Sequence, residues 1–436
     1  MGGGMKRRDI LKLGAMAATE MGIGGIAGPV RKGATAAPLL PSLEQAKPRI
    51  ASHPCPIKAD LWVLAGQSNM QAWGTLNEPL KLDPKRIVNF RMNNEWSPPF
   101  EPIHWNVEAA DTVHRDLLFK LGMSPEEYKK ERAAPRPIVP GGVDVGGGFA
   151  KQIVDNSAHN IGLIPCAMGG IPIKYWDPAL KDKGSASLYG SMYDRIQMVG
   201  GRIKGILWYQ GESDAYEECV GEYRKRFLEL IDAIRRDTGD PDLPFLYVQI
   251  SRYYDQDRTN AKWWEAIRDI QRHVTSERKK LYMVSAVDAD FQDRIHISGE
   301  STQLVGQRLA EVALSEVYDQ PDHGHSITLE SVNVIGRDTA TPAIRLTFGG
   351  VTGRLRAAGR PADFELRSDG PPDSAPVIYR TDFDPHNPAG LVLRVNFPFR
   401  ESTRLIYGSG MTPFMNLVDD KNMSVPAFGP IDLPDN

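Results

Sequence analysis

A short apolar segment that ends in glycine and polar side chains restricts the fold of this chain more than any other feature. Residues 60–66 read DLWVLAG and are followed by QSNM at 67–70. An unbroken apolar run of this length is typical of a strand that is buried on both faces of a parallel sheet. Gly66 permits a sharp exit from that strand. Ser68 is therefore predicted to lie just beyond its carboxyl end, where reacting groups collect in open α/β sheets.

We interpret Ser68 as a nucleophile. The alternative is a turn residue whose hydroxyl bonds its own backbone, which is the usual role of serine beside glycine and asparagine. The Gly-x-Ser-x-Gly motif of many hydrolases is incomplete here, because Met70 replaces the second glycine. Three later segments, at 166–176, 207–214 and 293–296, favour the nucleophile.

Apolar runs that alternate with helical patterns indicate the fold class. The strand candidates are 61–65, 161–167, 205–209, 245–250 and 281–287. Two sets of apolar side chains recur at helical spacing between them, namely Tyr223, Phe227, Leu230 and Ile234, and Trp263, Ile267, Ile270 and Val274. This alternation predicts an α/β domain over 59–320 with a doubly wound parallel sheet.

Residues 75–145 interrupt the alternation and are interpreted as an insertion. The segment is long, contains several prolines, and includes Trp96, His104, Trp105 and His114. A charged helix is predicted near 124–132. The insertion is either a surface loop or a lid or wall that contacts sugar.

A second, smaller domain is predicted over 321–436. Residues 344–348 alternate apolar and polar side chains, and Leu391, Leu393, Val395 and Phe397 share one face of another strand. Turns rich in glycine and proline separate these runs, which is typical of a small antiparallel β domain.

The N-terminal residues are similar to an export signal. Arg7 and Arg8 precede a weakly apolar stretch rich in glycine and alanine, and residues 34–37 (ATAA) resemble a cleavage site. Residues 1–37 are therefore predicted to be a twin-arginine signal that directs the protein to the periplasm or outside the cell. The alternatives are an amphipathic helix or a membrane anchor, but Glu20 and several glycines disfavour a membrane span. Residues 38–58 are interpreted as a linker.

The charge balance argues against nucleic acid as a partner. Residues 1–37 hold six of the 52 Lys and Arg residues and two of the 55 Asp and Glu residues, which leaves 46 against 53 and a net charge of −7. An acidic chain without basic runs gives no electrostatic reason to bind nucleic acid. Cys55, Cys166 and Cys219 lack metal-ligand spacing. Two of the three could form one disulfide, and the sequence does not show which two.

Four segments, in this order, resemble the sialate O-acetylesterase family. They are GQSNM at 66–70, CAMGGIPIKYW at 166–176, LWYQGESD at 207–214 and DRIH at 293–296. The family is a branch of the SGNH hydrolases that includes carbohydrate esterase family six. The resemblance implies an SGNH-type, flavodoxin-like fold with an accessory C-terminal β domain. It also implies a serine esterase that removes O-acetyl groups from oligo- or polysaccharides without a metal or an organic cofactor.

The resemblance also implies a role for each candidate catalytic residue. Ser68 attacks the ester, His296 takes its proton and Asp293 orients the imidazole. The backbone amides of Ser68 and Gly170, with the side chain of Gln210, form the oxyanion hole. From the residues alone, Asp293 could instead be a capping residue beside a surface histidine.

Several assignments around these segments have alternatives. Trp176, Gln67 and Asn69 are predicted to contact substrate, although Trp176 fits a core position equally well. Trp96 and Trp105 are also suited to stacking on sugars. Ser213, in Gly-x-Ser-x-Ala, is a rival nucleophile, and Glu212 is interpreted as a buried anchor of its loop. Ile171 departs from the Thr or Ser that usually follows the glycine pair in the family.

Two further motifs are not assigned a function. The three glycines at 146–148 lack the Lys-Ser/Thr of a phosphate-binding loop, and His323 and His325 without clustered ligands are interpreted as surface residues. Two functional alternatives remain. One is a non-catalytic carbohydrate-binding protein, and the other is a lipase-like esterase for longer acyl chains.

Overall fold

The main sheet has seven strands among the residues that the structure describes. The structure is a computed structural model, and it describes residues 50–71, 73–134, 142–369, 376–396, 399 and 402–434. The predicted signal at 1–37 and most of the linker lie outside these ranges. The strands are β1 (Asp60–Gly66), β2 (Ile87–Phe90), β3 (Trp96–Ser97), β4 (Ile161–Pro165), β5 (Gly205–Tyr209), β6 (Phe245–Gln249) and β7 (Leu281–Ser285). Their spatial order is β3-β2-β4-β1-β5-β6-β7.

The strand order places a topological switch point beside Ser68. Six strands are parallel and β3 pairs antiparallel with β2 at one edge. Without β2 and β3, the order of the parallel strands is that of flavodoxin-like sheets, in which the second strand lies on one side of the first and the third on the other. The switch point therefore lies between β1 and β5, and ligands bind at the carboxyl ends of such strands in open α/β sheets. The predicted doubly wound fold is confirmed.

Helices cover both faces of this sheet. Those in the described ranges are α1 (Thr112–Lys120), α2 (Pro125–Ala133), α3 (Val145–Asn156), α4 (Leu188–Met198), α5 (Glu217–Thr238), α6 (Ala261–Val274) and α7 (Gly299–Glu316). The predicted apolar face of α5 is buried throughout, and its acidic first turn and the left-handed Gly239 after its end are typical helix boundaries. On α6 the prediction is partly wrong, because Trp264 is buried and Trp263 is not.

The predicted insertion at 75–145 belongs in part to the main sheet. All four residues of β2 are buried, and β2 lies between β4 and β3. The strand is short and contains Asn89, whose amide donates to the carbonyl of Ile103 at 3.3 Å. The apolar run was therefore too brief to predict a central strand. The charged helix of this segment is confirmed as α2, which starts at a capping box of Ser124 and Glu127.

The C-terminal unit consists of antiparallel sheets. Its described strands are β8 (Thr328–Ile335), β9 (Ala343–Gly349), β10 (Arg356–Ala357), β11 (Phe364–Arg367), β12 (Ile378–Phe383), β13 (Gly390–Val395), β14 (Arg404–Tyr407), β15 (Leu417–Val418) and β16 (Phe428–Asp432). They form sheets of order β12-β13-β9-β8, β11-β14-β16 and β10-β15. The predicted strands at 344–348 and 391–395 are confirmed, whereas Phe397 lies outside the described residues.

The two units share contacts close to the main sheet. The side-chain amide of Gln249, the last residue of β6, donates to the carbonyl of Ala427 and accepts from its N–H, both at 2.9 Å. The buried Arg308 of α7 pairs with Asp288 at 2.6 Å and also donates to the carbonyl of Asn422. The C-terminal unit is therefore fixed against the carboxyl end of β6 and the residues that follow β7.

The three cysteines in the described ranges, Cys55, Cys166 and Cys219, are free thiols. His323 and His325 each pair with a different glutamate of α7, Glu311 and Glu316. Three or more potential metal-ligating side chains do not cluster anywhere in the described part of the chain. Within the same part, none of the helices is sufficiently long and apolar to cross a bilayer.

Candidate active site

Ser68 begins a short 3-10 helix, Ser68–Met70, directly after β1. The turn before it requires glycine, because Gly66 has a φ of 128° and a Cβ there would lie 2.2 Å from the carbonyl oxygen of Tyr209. Gln67 then donates its N–H to the same carbonyl at 2.8 Å. This close approach of β1 to β5 places Ser68, which is 5% exposed, at the predicted switch point.

Asn69 connects the Ser68 helix to both sides of His296. Its side-chain amide donates to the carbonyl of Ile295 at 3.2 Å, and its oxygen accepts from the N–H of Ile297 at 3.2 Å. The residues before and after His296 are therefore held by the residue that follows Ser68. This clamp brings together two segments that lie more than 200 residues apart in the sequence.

Asp293 orients His296 within the same loop. One carboxylate oxygen bonds imidazole Nδ1 at 2.8 Å, and the other accepts the N–H groups of Ile295 and His296 at 2.9 Å each. Burial by itself would raise the pKa of Asp293, but the hydrogen bonds and charge of His296 outweigh it and lower that pKa. The carboxylate therefore stays ionised and occupies Nδ1, which leaves Nε2 as the nitrogen that can accept a proton.

Trp73 is a site residue that the sequence analysis missed. Its ring stacks on the imidazole of His296, with centroids 4.2 Å apart and an interplanar angle of 5°. An indole face attracts a cation, so the stack favours the imidazolium that forms when His296 takes a proton. The available signal was an aromatic residue five positions after Ser68.

The glycine pair after β4 lies against Ser68. A Cβ on Gly169 would lie 3.4 Å from the Ser68 Cβ and 3.0 Å from the side-chain oxygen of Gln71, so a larger residue would crowd the serine. Gly170 follows with a φ of 68°. Among the described residues, the N–H groups of Ser68 and Gly170 have no acceptor. Their predicted role as oxyanion donors is compatible with this arrangement and stays a prediction.

Gln210 follows β5, but its amide group is already engaged. Nε2 donates to the carbonyl of Ile171 at 3.3 Å and to the carboxylate of Asp214, while Oε1 is buried without a partner in the described part of the chain. Asp214 also accepts the N–H of Ile173 at 2.8 Å. Gln210 therefore connects the loops after β4 and β5 in this geometry, and its role as an oxyanion donor stays a prediction.

Glu212 is buried beside Asn69, in agreement with its interpretation as a buried anchor of its loop. The residue is 2% exposed, and one carboxylate oxygen accepts from the Asn69 amide at 2.7 Å. Burial raises the pKa of Glu212 to about 7 and that of the nearby Asp214 to about 6, against the opposing effect of their hydrogen bonds. Two adjacent carboxyl groups therefore change protonation between mildly acidic and neutral pH.

Comparison with known proteins identifies the family. The family model described as carbohydrate esterase, sialic acid-specific acetylesterase matches residues 58–315. The chain belongs to this family of acetylesterases. It is therefore a carboxylic ester hydrolase, which confirms the predicted resemblance and excludes the alternative of a non-catalytic binding protein.

Individual relatives of this acetylesterase agree with the family assignment. A probable carbohydrate esterase of Arabidopsis thaliana is 27% identical over 294 residues, which are 62% of this chain and 95% of that protein. The sialate O-acetylesterase of Homo sapiens is 26% identical over 183 residues, which are 36% of this chain and only 31% of that protein. The crystal structure of a carbohydrate acetylesterase from Xanthomonas citri has a TM-score of 0.60 at 21% identity, over 85% of this chain and 80% of that chain, and shows the shared fold.

The structure corrects the substrate-contact predictions for this acetylesterase. Trp176 is 1% exposed and packs edge-on against Trp208 in the core, with centroids 5.3 Å apart. Gln67 is buried and its side-chain oxygen accepts from the N–H of Ser213 at 3.3 Å. Asn69 uses its amide on the clamp. The side chains of Trp176 and Asn69 are engaged in packing and hydrogen bonds, whereas the Gln67 amide nitrogen has no partner among the described residues, so its contact with substrate stays a prediction.

The aromatic and histidine residues of 75–145 also have structural partners. Trp96 donates to the carbonyl of His53 at 2.8 Å and lies near Gly162, in the amino-terminal half of β4 and away from the carboxyl end that Ser68 borders. His104 is buried, pairs with Asp144, and accepts the N–H of Ala167 at 3.1 Å, so it fixes the loop that leads to Gly169. Trp105 remains partly exposed beside it.

We expect the free energy of unfolding to fall less in Glu212→Gln than in the wild type as pH rises to neutral. Because the folded-state pKa of about 7 exceeds the ordinary value of 4.5, the folded protein binds more protons than the unfolded chain between these values. The free energy of unfolding should therefore fall as pH rises through this window, by roughly 3 kcal/mol for this group. Denaturant unfolding at pH 4.5, 6 and 7.5 should show a smaller fall in the variant. Glu217→Gln, at the exposed start of α5, is the matched control, and equal falls in all three proteins would contradict the effect.

Proposed function

We propose that this acetylesterase hydrolyses O-acetyl esters of carbohydrates by a Ser68–His296–Asp293 mechanism. The observation that carries the proposal is the Asn69 clamp, which holds the His296 loop against the Ser68 helix while Asp293 occupies Nδ1. No hydrogen bond joins Ser68 Oγ to a partner among the described residues, and catalytic hydrogen bonds often tighten only when substrate binds.

The reaction proceeds in two halves. Ser68 Oγ attacks the ester carbonyl while His296 Nε2 takes its proton, and the tetrahedral intermediate collapses as Nε2 returns that proton to the departing sugar oxygen. A water molecule then attacks the acetyl-enzyme with Nε2 again as base, and acetate and free Ser68 result. The amides of Ser68 and Gly170 are proposed to stabilise the oxyanion. The Trp73 ring stabilises the imidazolium present in each half.

The surroundings of Ser68 favour a short acyl group. Gly169 lies against the serine, and Gln71 donates its amide to the carbonyl of Ala167 at 2.8 Å, as does Asn106 at 3.4 Å. These groups are small or polar, and each is fixed by a hydrogen bond or by close packing. A methyl group suits this environment better than a flexible hydrocarbon chain.

An acyl-length series tests this proposal. We expect kcat/KM to fall steeply from acetyl to butyryl esters of one alcohol, since a pocket built for long chains would gain up to ~1–3 kcal/mol from each methylene group. Acetate release from acetylated glycans, followed by mass spectrometry without added metal, should accompany that preference. A profile that rises from acetyl to octanoyl, with no acetate from any glycan, would instead support the lipase-like alternative.

The proposal includes export by the N-terminal segment. Arg7, Arg8 and the small residues at 34–37 support it. Replacing both arginines with lysine should retain the esterase in the cytoplasm, and comparing activity in periplasmic and whole-cell extracts would detect this. Unchanged activity outside the cytoplasm would exclude a twin-arginine route.

A further inference from the structure

Two exposed aromatic side chains lie on segments that contact one another. Tyr254 follows β6 and is 45% exposed, and Phe414 in the C-terminal unit is 66% exposed. No large apolar side chain in the described ranges is more exposed than Phe414. Single exposed apolar residues are ordinary, so their arrangement decides whether they form a site.

The ring of Tyr254 is held in place by its neighbours. It meets Phe291 edge to face, with centroids 5.2 Å apart and an interplanar angle of 90°. The guanidinium of Arg252 lies 5.2 Å from the Phe291 centroid and 5.9 Å from that of Tyr254, and it donates to the carbonyl of Ala289 at 2.6 Å. A fixed, exposed ring loses little conformational entropy when a ligand stacks on it.

This surface is continuous with the catalytic loop. The N–H of Tyr254 donates to the carbonyl of Arg294 at 2.8 Å, two residues before His296. Phe291 pairs with Ile297, the residue after His296. Tyr254 and Phe291 are therefore attached to the loop that carries His296.

The segment of the C-terminal unit that leads to Phe414 contacts the loop of Tyr254. Met411 accepts the N–H of Tyr253 at 2.8 Å, Thr412 accepts from Arg258 at 2.7 Å, and Pro413 accepts from Arg252 at 3.5 Å. Three successive residues before Phe414 thus bind the loop that carries Tyr254. We call the surface of these two segments, together with the loop of Phe291, the rim.

The charges on this rim favour a neutral ligand. Arg294 is paired with Asp255 at 3.6 Å, and Asp255 also accepts from the Tyr253 hydroxyl at 2.6 Å. The other two guanidinium groups, those of Arg252 and Arg258, donate to two carbonyls and to the Thr412 hydroxyl. The exposed carboxylates of Asp257 and Asp290, in the same two loops, balance them in number. Aromatic faces without a surplus of charge match the C–H faces of neutral sugar rings, which stack on aromatic side chains.

We propose that Tyr254, Phe291 and Phe414 form a second sugar-binding position. Its occupant is a neutral sugar residue linked to the one whose acetyl group is removed, so the enzyme acts on oligo- or polysaccharides in preference to single sugars. This inference rests on the proposed function, because it extends the substrate bound at Ser68.

A comparison of substrate lengths tests the position. Acetylated oligosaccharides of xylose, mannose and glucose would be assayed beside the acetylated monosaccharides, and the sugar that the wild type deacetylates fastest would be used. We expect kcat/KM to be higher for the oligosaccharide. Tyr254→Ala and Phe414→Ala should each reduce that preference about tenfold, chiefly through KM, which corresponds to about 1.4 kcal/mol of stacking.

Two further variants make the outcome decisive. Tyr254→Phe keeps the ring and should keep the preference, whereas Tyr379→Ala removes an equally exposed ring on β12, 56% exposed, and should change nothing. Equal losses on both substrates, or an unchanged preference in Tyr254→Ala and Phe414→Ala, would overturn the second position while the proposed function stands. If the wild type hydrolyses 4-nitrophenyl acetate but no acetylated sugar, the proposed function itself fails and the position with it.

Discussion

Ser68→Ala is expected to abolish acetyl release and to leave the fold intact. Removal of a serine nucleophile that acts together with a histidine base costs about 10⁴–10⁶-fold in kcat. The Ser68 hydroxyl has no hydrogen-bond partner among the described residues, so its loss breaks no bond that stabilises the fold. Initial rates on an aryl acetate and on an acetylated glycan would measure the loss, and the midpoint of thermal unfolding should shift by less than about 2 °C.

Ser213→Ala is the matched control for this experiment. Ser213 lies in the 3-10 helix Glu212–Asp214. Its backbone N–H donates to the side-chain oxygen of Gln67, and its hydroxyl has no hydrogen bond to any of the described residues. The variant should keep most of the activity. An inactive Ser213→Ala together with an active Ser68→Ala would show that the nucleophile was assigned to the wrong serine.

The parallel core of the fold was predictable because its strands are continuous apolar runs. β1 and β5 are each followed by a glycine or polar residue that marks the carboxyl end, so both the strands and their active edge could be recognised. β2 was missed because it has only four residues and Asn89 interrupts it. Its place in the sheet depends on pairing with β4, a contact across about 70 positions that periodicity does not encode.

The contact between Asp293 and His296 was predictable for a different reason. Asp293 and His296 are three residues apart, so one loop brings carboxylate and imidazole together without any distant contact. The clamp by Asn69 and the stack by Trp73 join segments more than 220 residues apart in sequence. Local patterns showed that these residues were polar or aromatic, but not which group each one contacts.

The predicted substrate contacts depended on position in the sequence alone. Trp176, Gln67 and Asn69 lie next to the proposed catalytic segments, and their side chains were therefore expected to contact substrate. The structure buries all three, and a buried amide forms hydrogen bonds inside the protein while a buried indole packs. The residues that we propose for a second sugar, Tyr254 and Phe414, lie outside every recognised motif.

Asp293→Asn is expected to lower kcat about 10⁴-fold with little effect on folding, by analogy with the loss when the carboxylate of a serine-protease triad becomes an amide. The new side-chain oxygen can still accept the N–H groups of Ile295 and His296. The new NH₂ group, however, would face Nδ1 of His296 as a donor. The imidazole would then carry its proton on Nε2, where it can no longer accept one from Ser68.

The control for this variant is Asp290→Asn in the same loop. Asp290 is exposed, and its structural contacts are made by its backbone, which accepts from Ser298 and donates to Ser301. It should therefore retain full activity. Nitrogen NMR of the His296 ring should show the proton moving from Nδ1 to Nε2 in Asp293→Asn alone. If Asp293→Asn instead keeps more than about a tenth of the wild-type kcat, the tautomer argument fails. The orienting carboxylate would then have to be sought at Glu212, which reaches the His296 loop through Asn69.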